Sequence, residues 1–113
     1  MAQNDDMGMA QFHSIFFEEA AEHLERMEGL LVELDLVSPD AEQVNAIFRA
    51  AHSIKGGAGT FGFQDLAGLT HEMETVFDKV RKGEMALNPD LVNAFLASGD
   101  MLTAMLGHYK GSG

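Results

Sequence analysis

One short run concentrates the groups that could do chemistry. Ala51-His52-Ser53-Ile54-Lys55-Gly56-Gly57-Ala58-Gly59-Thr60-Phe61-Gly62-Phe63 combines one imidazole, one ammonium and a cluster of glycines. If the run begins as a helix, the surface neighbours of His52 at three, four and seven positions are Phe48, Arg49, Lys55, Gly56 and Gly59. An imidazole is a nucleophile near neutral pH. Arg49 and Lys55 flank it with charge suited to an anion, and a phosphoryl group would take charge-assisted hydrogen bonds from both. Each glycine inside a helix costs roughly 1 kcal/mol relative to alanine, so Gly56, Gly57 and Gly59 together concede about 3 kcal/mol. Against a domain stability of about 5–15 kcal/mol that is a large concession. It is accounted for if another protein's backbone must come close beside His52. The competing reading is a hydrogen-bonded surface histidine with no role.

These residues must be positioned by helices. From about Ala10 to Val37, apolar residues recur at Phe12, Phe16, Ala20, Leu24, Met27, Leu31 and Leu34, in steps of four and three that keep them on one stripe. Ser38-Pro39-Asp40 stops this helix and starts the next: serine can cap, proline is preorganised for the first helical position, and aspartate suits the dipole. The second helix runs to about Gly59 and buries Val44, Ile47, Phe48, Ala51, Ile54 and Ala58. A turn at Thr60-Phe61-Gly62-Phe63 leads to a third helix from near Gln64 to near Gly83, packing through Leu66, Leu69, Met73, Val76, Phe77 and Val80. Asn88-Pro89-Asp90 begins a fourth, with Leu91, Phe95, Leu96, Leu102, Met105 and Leu106 inward. The eight methionines and eight phenylalanines mostly fill these stripes. No segment alternates with period two. Short connections between four helices predict an all-α, antiparallel up-down-up-down four-helix bundle over residues 1–110, with 111–113 as a linker or tail. Stepping about 100° per residue puts His52 roughly 80° to 100° from the apolar centre of its helix, on the shoulder between core and water.

Composition excludes several classes. The chain has 113 residues, enough for one core, with 46% apolar and 22% charged residues. It has no cysteine, which removes disulfides, thiolate metal sites and a cysteine nucleophile. Seven Lys and Arg against eighteen Asp and Glu give a net charge of −11, which repels nucleic acid and anionic membranes. Nine of the eighteen acids precede Asp40, which reads as a solvated helix face that aids solubility, with electrostatic steering of a basic partner as the alternative. Met-Ala-Gln-Asn-Asp-Asp lacks an apolar segment and is no signal peptide, and no apolar run reaches the roughly 20 residues of a membrane span. The expectation is a cytoplasmic protein.

Other motifs lack their context. Gly57-Ala-Gly59-Thr-Phe-Gly62 matches a dinucleotide fingerprint, but it follows a helix rather than a strand, and Phe63 stands where a P-loop lysine would be. A di-metal bundle needs Glu-x-x-His, and none of the five histidines has glutamate three residues earlier. His71-Glu72 is followed by Thr75 rather than the second histidine of a zinc helix. His13, His23 and His108 have no distinguishing sequence surroundings.

The run from Phe48-Arg49-Ala50 through Phe63 resembles the phosphorylation motif of histidine-phosphotransfer (HPt) domains, in the form found in chemotaxis histidine kinases. Thr70-His71-Glu72-Met73-Glu74 is similar to the third-helix motif of the same family. Periodicity alone leaves His71 and Glu74 as either an exposed i, i+3 pair or part of a site. The resemblance implies that His52 is the phosphoacceptor, that Lys55 assists the phosphoryl group, and that Glu74 hydrogen-bonds the imidazole with His71 in the same network. Phe48, Arg49, Gly56 and Gly59 would meet the partner. The implied partners are an ATP-binding histidine-kinase domain and response-regulator receiver domains. ATP and Mg²⁺ would be supplied by those partners, and no cofactor would be held here. A freestanding phosphorelay protein or a bundle serving only interaction are the alternatives. The family also implies a further helix after the fourth, and this chain ends before one.

Overall fold

In a computed structural model, which describes residues 2–112 and the side chains of residues 10–111, four helices follow in order: α1 (Ala2–Glu33), α2 (Ala41–Thr60), α3 (Gln64–Arg81) and α4 (Pro89–Ser112). The described residues form no strand. Contacts join α1 to α2, α2 to α3, α3 to α4 and α4 back to α1, with none across a diagonal. That ring of sequential neighbours is the up-down-up-down bundle its short connections require.

The apolar stripes meet in one core. Phe16, Ala20, Leu24, Met27 and Leu31 of α1 pack with Val44, Ile47, Ala51, Ile54 and Ala58 of α2, Leu66, Met73 and Phe77 of α3, and Phe95, Leu102 and Leu106 of α4. Val92 is also buried, a position the spacing missed. So is Thr70, whose hydroxyl donates to the Leu66 carbonyl at 2.6 Å and so enters the core satisfied. Phe12 continues the α1 stripe yet is 58% exposed. One turn later Phe16 already meets the end of α2, so α1 has outrun its neighbour at Phe12.

Local chemistry sets the ends. α1 stops at Glu33 rather than Val37, because the Asp35 carboxylate accepts from the amides of Val37 (2.9 Å) and Ser38 (3.3 Å) and folds the chain into a turn. The cap of α2 is Asp40 rather than Ser38, accepting from the amides of Glu42 and Gln43. Asn88 caps α4 through the Leu91 amide at 2.8 Å, with Pro89 as the first helical residue. Gly62 (φ 77°) and Gly83 (φ 76°) terminate α2 and α3 in the left-handed conformation that glycine adopts without strain. Helix α4 continues through Gly111 and Ser112, which the sequence assigns to a tail, while Gly113 lies outside the described residues.

The three glycines of α2 divide into two kinds. A Cβ on Gly57 would stand 2.6 Å from two ring carbons of Phe16, itself only 6% exposed, so this glycine lets α1 and α2 close. A Cβ on Gly56 or Gly59 would meet nothing within 4 Å. The interior thus accounts for Gly57, and only Gly56 and Gly59 remain as an open surface. Gly57→Ala is expected to lower the urea midpoint, because overpacking costs about 1–3 kcal/mol and the helix-propensity gain recovers about 1 kcal/mol. Gly56→Ala is expected to raise it by up to about 1 kcal/mol. The reverse order would contradict this division.

Candidate functional site

His52 and Lys55 lie on α2, and Glu74 lies on α3. Ala51 and Ile54 are buried, which fixes the rotation of α2 and leaves His52 on the shoulder with its side chain 60% exposed. On α3, burial of Met73, Phe77 and Thr70 turns Glu74 toward α2, where its side chain is only 14% exposed. His52 Nδ1 stands 2.8 Å from Glu74 Oε2. Lys55 Nζ reaches both oxygens of the same carboxylate, at 3.0 Å (Oε1) and 2.9 Å (Oε2).

The protonation of this cluster follows from the pair. Burial alone would raise the Glu74 pKa, but the hydrogen bonds from Lys55 and His52, with their charges, hold it below the ordinary 4.5. At neutral pH the carboxylate is ionised and can only accept. The Nδ1 of a neutral His52 therefore carries the proton, and Nε2 presents its lone pair. An ionised carboxylate on Nδ1–H also stabilises positive charge formed on the ring during attack. This is the arrangement that a nucleophilic imidazole with an orienting carboxylate requires.

Because the Glu74 pKa is depressed in the fold, the unfolded chain binds more protons just below pH 4.5 and stability rises with pH in that window. The contribution is complete above the unfolded value and is lost as pH falls through the native one. Wild type should lose stability relative to Glu74→Gln as urea unfolding is carried below pH 4.5. An identical pH dependence of the two proteins would contradict the pairing.

Two residues support the ring from behind. Phe48 lies nearly parallel to His52, with an interplanar angle of 14° and centroids 6.1 Å apart. The guanidinium of Arg81 covers Phe48 at 3.9 Å, and Arg81 Nε is held by Asp78 Oδ1 at 2.7 Å. Lys82 binds the other oxygen of Asp78 at 2.8 Å. The hydrogen bond from Lys82, then that from Arg81, lowers the Asp78 pKa. Arg81 and Asp78 escaped the sequence reading. Their signal was the i, i+4, i+7 line Glu74, Asp78, Arg81 along one face of α3.

The remaining sequence candidates separate. Arg49, Gly56 and Gly59 are exposed around His52 on α2. His71 is exposed and its ring bonds to neither His52 nor Glu74, which leaves the orienting contact to Glu74. His13 does have distinctive surroundings: its ring lies within 6.3 Å of Phe17, Phe61 and Phe63, closing the end of the bundle away from the chemistry. Among the described residues, no three His, Asp or Glu side chains form a metal-ligating group.

The sequence and its architecture have relatives. The family model for the Hpt domain matches residues 11–108. The chain is 55% identical over 106 residues to the chemotaxis protein CheA of Salmonella typhimurium, covering 94% of this chain and 16% of that one. It is 41% identical to CheA of Rhizobium meliloti, covering 95% of this chain and 14% of that protein. The chain thus spans about one-sixth of the curated relatives it matches. Among solved structures, the CheA phosphotransferase domain from Thermotoga maritima superimposes with a TM-score of 0.82 at 36% identity, covering 88% of this chain and 94% of that one. The phosphorylated P1 domain of CheA3, solved in complex with CheY6 from R. sphaeroides, gives a TM-score of 0.83 at 26% identity, covering 90% and 80% of the two chains. With nearly its full length matched, and a histidine, lysine and glutamate joined across two helices of the bundle, the chain belongs to the Hpt domain family.

Proposed function

We propose that the chain is the phosphocarrier module of a chemotaxis-type histidine kinase. His52 takes a phosphoryl group from an ATP-bound kinase domain and passes it to an aspartate of a response-regulator receiver. The observation that carries this reading is the 2.8 Å contact of His52 Nδ1 with an ionised Glu74, on a ring that is 60% exposed. The match to an Hpt domain solved with a response regulator supports it.

In the first step the lone pair of Nε2 attacks the γ-phosphorus of ATP. The N–P bond forms as the bond from phosphorus to the bridging oxygen breaks, and ADP leaves with that electron pair. The ring becomes cationic with Nδ1–H still on Glu74, whose negative charge stabilises it. Lys55 has three N–H donors, two of which face Glu74; the third is free for a phosphoryl oxygen. In the second step a carboxylate oxygen of the receiver attacks phosphorus. The N–P bond breaks and its electrons return to Nε2, restoring the neutral ring. Positioning and charge stabilisation are most of what such a transfer needs. Mg²⁺ and nucleotide belong to the kinase and receiver, so the module is acceptor and donor without turnover of its own. Its place would be the cytoplasm, with the kinase's ATP; among the described residues no helix is long and apolar enough to cross a membrane.

The test is incubation with ATP and the ATP-binding kinase domain of the Salmonella relative. A phosphate that is labile in acid and stable in base, and that drains to an added CheY-type receiver, is expected. An acid-stable phosphate, or none, would overturn the reading.

A further inference from the structure

Helix α2 presents His52 between two unlike flanks. On the α3 side Lys55 holds Glu74, and Phe48 lies under Arg81, which holds Asp78. On the other side, Arg49 lies about 60° and Ser53 about 100° round the helix from His52. With His23 and Arg26 of α1 they rim a groove of about 240 Å³, floored by the buried Ala46 and Ala50.

Among the described residues, none of the four rim side chains is held by another side chain. Arg26 and Arg49 form no ion pair with any described acid. His23 makes no hydrogen bond. Thr60, Thr75, Ser98 and Thr103 each donate to the carbonyl four residues back, whereas the Ser53 hydroxyl does not. Two guanidiniums, a hydroxyl and an imidazole therefore converge unpartnered on one small-residue floor, one turn from the phosphoacceptor. Guanidinium forks match carboxylates in bidentate geometry.

We infer that this groove receives carboxylate side chains of the receiver domain that accepts the phosphoryl group. The inference rests on the phosphotransfer reading above. The receiver's acceptor is itself a carboxylate, so the receiver surface that meets His52 is anionic there, and Arg49 and Ser53 on the groove's rim are helical neighbours of His52. Elsewhere the exposed acids of α1, including Glu18, Glu22 and Glu25, repel an acidic partner. Attraction at the groove and repulsion around it fix one docking register.

Phosphorylated wild type, Arg26→Glu, Arg26→Ala and Arg26→Glu/Arg49→Glu would be compared in transfer to a CheY-type receiver chosen because it accepts phosphoryl from wild type. Arg26 is exposed and on a different helix from His52, so melting curves should be unchanged. Arg26→Glu is expected to slow transfer about 5- to 10-fold, Arg26→Ala less, and the double variant most, as charge reversal at a steering contact does. The wild-type rate should fall with added salt and the double variant's should not. Labelling of Arg26→Glu by the kinase should stay within about twofold, since the nucleotide is not the groove's occupant. Transfer at the wild-type rate, or equal loss of labelling and transfer, would overturn the inference while leaving phosphorylation of His52 intact. A wild type that takes no phosphoryl group would instead overturn the phosphotransfer reading on which it rests.

Discussion

His52→Gln is expected to abolish phosphorylation by the kinase domain while leaving helix content and the urea midpoint nearly unchanged. Glutamine keeps a polar side chain of similar reach but has no nitrogen lone pair able to attack phosphorus. The fold should tolerate the change, because the His52 side chain is 60% exposed and fills no part of the core. Surface substitutions of this kind usually stay within about 0.5 kcal/mol. His13 lies among phenyl rings, and His23 and His71 carry no carboxylate on the ring, so none of these three is prepared to substitute for it. Radiolabel incorporation from ATP is the measurement. Labelling of the variant at more than about one per cent of the wild-type rate, a loss of under about 3 kcal/mol in transition-state stabilisation, would remove His52 from its assigned role.

Glu74→Ala should slow phosphorylation about 10- to 100-fold, the usual loss when the group orienting an active imidazole is removed. Three effects act together. The Nδ1–H tautomer loses its acceptor, so part of the population carries its proton on Nε2, where attack must occur. The ring becomes a weaker nucleophile, and the cation formed on attack loses its counter-charge. Stability should fall by no more than about 1 kcal/mol, because Lys55 is 27% exposed and can return to solvent. Glu74→Gln should fall between the two, since an amide oxygen can still accept from Nδ1 but carries no charge. A rate unchanged in Glu74→Ala would make the 2.8 Å contact irrelevant to the chemistry.

What sequence could reveal here divides by whether one helix or two decides the matter. The stripes from Phe16 to Leu31 and from Val44 to Ala58, and the Asn88-Pro89 start, depend on one helix's periodicity and local hydrogen bonds, and they are legible. The shoulder position of His52 is legible for the same reason. The end of α1 was misplaced because the Asp35 carboxylate competes locally with helix continuation, which hydrophobic spacing does not register. Contacts between helices depend on their relative rotation and axial offset. Thus Glu74 on His52 came only from family resemblance, and Arg81 on Phe48 and the Arg26–Arg49 groove came only from the structure. Gly57 shows the same limit. Its conformational cost was visible in the sequence, but the Phe16 ring that requires it was not.

The most direct test of the account is nitrogen–phosphorus correlation by NMR on the ¹⁵N-histidine-labelled domain, before and after phosphorylation. Before, His52 should give the pattern of a ring protonated at Nδ1, and that pattern should weaken in Glu74→Ala. After, a single phosphorus should couple to Nε2 of His52, with Nδ1 still protonated. Phosphorus on Nδ1, or on any other histidine, would contradict the assignment of Glu74 as the group that holds the ring for attack.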